Sequence, residues 1–153
     1  MIKRADLVNA MAVALANIPE VMSELAAENP VAPYIDFNPA NNSLEKAIYQ
    51  MQPGQLLVAW AETNLLLEQM SKWSHRVEIY LRAGRDHSDM DLADLIMNGI
   101  PVPGDGMPWR MCPLIPGVLP TDVLGLSRRT DSEGVDYHVI LTETAETGDW
   151  PWP

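Results

Sequence analysis

Three histidines, one cysteine and a run of acids are the side chains of this 153-residue sequence whose types could do chemistry. The histidines are His75, His87 and His138. No two stand at a spacing that sets metal ligands side by side. His75 and His138 fall in stretches that read as strands, and pairing of those strands could bring them together. The plainer reading is two ordinary strand histidines. Asp86, His87, Asp89, Asp91 and Asp94 crowd one helix start and offer hard oxygen ligands. They lack the glycine turn and distal glutamate of a calcium loop. Acids at a helix N-terminus are favourable without any metal. Cys112 precedes Pro113 and has only Arg110 as a basic neighbour, with no helix start to activate it. No serine sits in a glycine-flanked elbow. Pro103-Gly104-Asp105-Gly106 lacks the lysine and the following helix of a phosphate loop. Glu146 and Asp149 read as parts of a C-terminal tail. These residues predict no catalytic centre, no cofactor and no metal, so the chain is expected not to be an enzyme.

The elements around these residues are more legible. Trp73 to Arg82 alternates, with mostly apolar odd positions and mostly polar even ones, the period of a half-buried strand. Ala83-Gly84 ends it. Ser88 then caps a predicted helix over about 88–99, with Asp91 in its first turn. Leu92, Leu95, Ile96 and Gly99 share one side, so this helix can lie back on the sheet. Asp6 to Asn29 is predicted helical, with a stripe of Leu7, Met11, Ala14, Leu15 and Ile18. Pro19 predicts either a kink or a second helix that begins there. Val31 to Phe37 reads as extended, and Pro33 assigns it to a sheet edge or outside the sheet. Ser43 to Met51 reads as a short helix or a surface loop. Leu56 to Ala61 reads as a central strand after Pro53-Gly54. Thr63 to Lys72 reads as the continuation of a hairpin, a short helix, or an apolar loop awaiting a neighbour. Val123 to Arg129 and Val135 to Thr142 predict a closing hairpin, with Gly125 marking a bulge.

The expectation is an α+β fold: an antiparallel or mixed sheet of about four to five strands, with an N-terminal helix and the 88–99 helix packed on it. It is expected to be a single domain over residues 1–144, interrupted by a proline-rich loop at 101–120 and followed by an extended tail at 145–153. The hydrophobic fraction of 47% is ordinary for a folded chain. The formal charge of −11 excludes a groove that binds nucleic acid by neutralising phosphates. A single cysteine excludes an internal disulfide and fits a reducing compartment. No apolar run reads as a signal peptide or membrane span. Trp150 and Trp152 alternate with prolines and cannot form a helix. Leaving them in water forgoes roughly 25 cal/mol per Å² of buriable apolar surface, so docking is expected.

The order of elements — long N-terminal helix, strands, the Val77-to-Arg82 strand, the Asp89-to-Asn98 helix and a hairpin ending Val135-to-Thr142 — resembles the small ring-forming proteins of the tailed-bacteriophage head-to-tail junction. Tail terminator (tail completion) proteins are the nearest in kind, with neck, connector and head-closure proteins next. The resemblance implies a structural virion protein with no catalytic residues, assembled in the bacterial cytoplasm. It implies a homo-oligomeric ring, commonly a hexamer, that caps the tail tube and joins it to the head connector. DNA would pass through without specific binding. An acidic lumen suits that passage, because it repels phosphate. The proline-rich loop and tryptophan tail depart from the usual compactness of that family. Candidate subunit-interface residues are Leu65, Leu66, Leu67, Trp109, Met111, Trp150 and Trp152. Two other classes stay open. A monomeric ligand- or peptide-binding adaptor would use the Trp109 loop as a pocket wall. A metal-dependent enzyme would use the Asp86-to-Asp94 cluster.

Overall fold

A computed structural model describes residues 2–25, 30–35, 43–67, 72–82, 89–98, 112–130, 134 and 136–147. The chain runs α1 (Arg4–Ala16), α2 (Pro19–Ser23), β1 (Val31–Tyr34), α3 (Ser43–Tyr49), β2 (Gln55–Leu67), β3 (Lys72–Arg82), α4 (Asp89–Met97), β4 (Asp122–Thr130) and β5 (Asp136–Ala145). The fold is α+β. Its five strands form one mixed sheet in the order β1-β2-β3-β5-β4. Only the β1–β2 pairing is parallel; the other three are antiparallel.

The periodicities explain the layers. Leu56 and Val58 of β2, Val77, Ile79 and Leu81 of β3, and Ile140 of β5 share one core. That core is completed by Leu7, Val8, Met11, Ala12 and Leu15 of α1, Val21 of α2, and Leu92, Ala93 and Ile96 of α4. The alternate residues Leu57, Ala59, Tyr80, Tyr137 and Val139 gather with Met51 on the other face, against Leu44, Ala47 and Ile48 of α3. The sheet is therefore covered by α1 and α4 on one side and by α3 over part of the other. β5 is buried on both faces, because Ile140, Thr142 and Thr144 are covered as well as Tyr137 and Val139. The alternation of Val135, Tyr137, Val139 and Leu141 had suggested one buried side only.

Several junctions follow from single residues. Pro19 opens α2 rather than kinking a continuous helix, since a proline at the first helical position gives up no helical hydrogen bond. Pro33 lies in the edge strand β1, where its missing N–H is harmless. Gly54 has φ 81, a left-handed conformation open to glycine, and its N–H reaches the carbonyl of Arg82 at 2.6 Å. Gly125 sits at the register shift of the β4–β5 hairpin, where a bulge was expected. The Thr63-to-Lys72 stretch is hairpin: Thr63 to Leu67 continue β2, and Lys72 opens β3.

The chain stays tied down beyond Thr144. Ala145 closes β5, Glu146 bridges Val118, and the Thr147 N–H donates to the Gly117 carbonyl at 2.9 Å. The second part of the proline-rich loop is equally held: Val118 is buried, and Leu114 and Ile115 pack against the core under α1 and α4. Residues 101–111 lie outside the described residues.

Candidate functional site

His75 occupies an odd position of β3, in register with Trp73, Val77, Ile79 and Leu81. That register carries its ring into the interior, where the residue is 0% exposed. A buried imidazole needs partners for both nitrogens. Thr63 of β2, opposite His75 in the hairpin, puts Oγ1 2.9 Å from Nδ1. Glu146, just past β5, puts Oε2 2.8 Å from Nε2. The network continues at both ends. The Trp60 indole N–H donates to Thr63 Oγ1 at 2.8 Å. The Ile2 backbone N–H donates to Glu146 Oε1 at 2.9 Å.

These partners assign the proton order. Trp60 can only donate, so Thr63 Oγ1 accepts from it and turns its own hydrogen to His75 Nδ1. His75 Nε2–H then donates to Glu146, whose other oxygen holds the chain just ahead of α1. The Arg4 guanidinium lies over the Trp60 ring, 4.5 Å from its centroid, and fastens α1 to the same corner.

A hydroxyl, an imidazole and a carboxylate in line share the parts of a nucleophilic triad. The setting here serves another end. Both ring nitrogens are engaged, and His75 is sealed from solvent, whereas a general base must reach the proton that it removes. The arrangement binds β2, β3, the end of β5 and the N-terminus together. Beside it, Thr121 and Thr144 share a buried hydrogen bond at 2.7 Å, and Thr142 Oγ1 donates to the Val77 carbonyl at 2.7 Å.

On the other face, Arg129 of β4 grips Glu78 of β3 through two bonds of 3.2 and 3.3 Å. The Tyr80 hydroxyl donates to the same carboxylate. Burial, and then the Glu78 hydrogen bond and charge, hold the Tyr80 phenol neutral well above the ordinary tyrosine range.

The residues singled out from sequence fall apart in space. His75 stands opposite Thr144, whereas His138 stands opposite Leu81, at the other end of the same strand pair. The two histidines therefore do not meet. Six residues of strand separate them, about 20 Å at the usual rise. His87 and Asp86 lie outside the described residues, as does the side chain of Asp89. Asp91 and Asp94 are exposed on α4. Among the described residues no three His, Cys, Asp or Glu side chains gather as metal ligands. Cys112 is exposed. Leu65 is exposed on β2; Leu66 and Leu67 continue that strand, with side chains outside the described residues. Trp109, Met111, Trp150 and Trp152 also lie outside them.

Glu146 is the residue that sequence reasoning misplaced. Assigned to a free tail, it is instead 8% exposed and bonded to His75. The signal was the histidine itself: a polar side chain on the apolar register of a strand requires a buried partner.

The sheet also has two open margins. Among the described residues no strand pairs with the outer side of β4. On the opposite margin β1 covers β2 only from Leu56 to Ala59, so Ala61 to Leu67 extend past it. Each margin carries an exposed leucine, Leu124 at 46% and Leu65 at 41%. No protein-family model matches the sequence, and neither does any curated protein.

Proposed function

We propose that this chain is a structural subunit of a ring at the head-to-tail junction of a tailed bacteriophage. The ring terminates the tail tube, joins it to the head connector and lets DNA pass. The observation that carries the reading is the order of elements on a single sheet: α1, the β2–β3 hairpin, α4, then the β4–β5 hairpin. This is the order on which the resemblance to tail terminator and neck proteins rests. Two further features support it. The formal charge of −11 suits a wall past which DNA slides without sticking. The buried polar residues around His75 are spent on joining strands to one another and to the N-terminus, as a rigid building block requires.

Negative-stain electron microscopy of the purified chain, alone and with tail tubes of the phage that encodes it, tests the reading. Annular particles, or annuli seated on tube ends, are expected. Tubes that stay bare and a chain that stays monomeric would overturn it.

A further inference from the structure

We infer that adjacent copies join through the two open sheet margins, the outer side of β4 in one copy pairing with the Ala61–Leu67 half of β2 in the next. This rests on the reading that the copies close into a ring. It goes further, by naming the surfaces that meet.

Strand directions supply the first argument. Between β2 and β4 the sheet reverses direction three times, at β2–β3, β3–β5 and β5–β4. β4 therefore runs opposite to β2. Copies in a ring are related head to tail and keep the same sense. When the sheet of one copy continues into the next, β4 meets the neighbour's β2 in antiparallel fashion. Antiparallel pairing requires no crossover and needs only two exposed backbone margins. Among the described residues, no backbone hydrogen bond outside the sheet engages Ala61 to Leu67 or Asp122 to Thr130. Unpaired strand margins of this length are templates for another strand.

Side-chain complementarity supplies the second. On β2 the acidic residue Glu62 precedes Leu65 by three positions. On β4 the basic residue Arg128 follows Leu124 by four. When antiparallel strands bring Leu65 beside Leu124, the bulged register lays Glu62 alongside Arg128. In a parallel arrangement Glu62 would instead lie near Thr121 and Asp122, without an opposite charge. The direction imposed by a head-to-tail ring is thus the one in which apolar meets apolar and acid meets base. Glu62 and Arg128 are bound within the chain only by exposed ion pairs, to Arg76 and Asp136. Such pairs are weak and rearrange at little cost. Bulges interrupt both margins, at Trp60/Glu62 and Leu65/Leu67 on β2 and at Val123/Gly125 on β4. A flat strand that pairs with any neighbour is thereby avoided, and a matching partner is favoured.

Disulfide trapping tests the pairing on the full chain. Cys112→Ser removes the native thiol, and Leu65→Cys and Leu124→Cys are added singly and together. Under mild oxidation the double variant is expected to give a ladder of covalent multimers ending at the closed ring. Mixed single variants are expected to give dimers only. Glu62→Lys and Arg128→Glu are each expected to lower apparent self-association about tenfold, and to restore it when combined. Circular dichroism and denaturation midpoints of each variant separate loss of folding from loss of pairing. Annular particles without the Leu65Cys–Leu124Cys ladder, and indifferent to charge reversal, would overturn this inference and leave the ring reading standing. A covalent dimer from Leu124→Cys alone would overturn it in favour of β4 pairing with itself. Monomers under all conditions, with or without tail tubes, would overturn both.

Discussion

His75 and Glu146 lie 71 residues apart in sequence and 2.8 Å apart in space. That contact closes a line of hydrogen bonds from the Trp60 indole through Thr63 to the backbone just ahead of α1. The middle of β3, the end of β5 and the start of the chain are therefore held at one point.

Removing the imidazole should cost much more than one hydrogen bond. His75→Ala leaves the Thr63 hydroxyl and the Glu146 carboxylate without their shared partner in a buried site. The expected loss of stability is about 2–4 kcal/mol. Chemical denaturation measures it as a lower midpoint at unchanged slope. A change within about 0.5 kcal/mol would show that the network carries no stability.

Glu146→Gln keeps the shape and replaces one acceptor oxygen by a donor. One of the two N–H groups that face it, from His75 or Ile2, then meets a like group. A loss of about 1–3 kcal/mol is expected. Because Glu146 holds Ile2, amide exchange in the first turn of α1 should rise more than exchange in β3. Equal acceleration in both would contradict the proposed anchoring.

Tyr80 gives the protein an alkaline weakness. Its phenol is held neutral in the folded chain by burial first and by Glu78 second, whereas an unfolded tyrosine ionises near pH 10. The folded state therefore keeps a proton that the unfolded state gives up. The stabilisation is fully present below about pH 10 and is lost as pH rises further. Unfolding free energy should fall above that pH, and Tyr80→Phe should flatten the fall. The same variant gives up the hydrogen bond to Glu78, a cost of about 1 kcal/mol at neutral pH. An unchanged alkaline slope in Tyr80→Phe would refute this assignment.

The helix-covered core should respond as a close-packed interior. Leu15 of α1 and Ile79 of β3 are both fully buried there. Truncation of either to alanine is expected to cost about 2–5 kcal/mol. Val13→Ala, on the exposed side of α1, should change stability by less than about 0.5 kcal/mol.

What was legible in the sequence was local. Alternation from Trp73 to Arg82, the proline at the start of α2, the edge position of Pro33 and the bulge at Gly125 each follow from one residue's backbone demands. What was not legible depended on which strands pair. The β3–β5 register decides that His75 faces Thr144 and that His138 lies at the far end, and no local pattern states a register. Glu146 was missed for the same reason: it follows the last alternating residues, and its partner comes from a strand 71 positions earlier. The parallel β1–β2 contact was equally hidden, because only four short-strand residues make it.

The central claim is assembly into a ring, and solution mass tests it most directly. Native mass spectrometry of the purified chain across a concentration series, with tail tubes added in a parallel series, should show one closed multiple of the chain mass. Six copies is the number that the resemblance favours. A single species at the mass of one chain in every sample, with no chain retained on the tubes, would contradict the account.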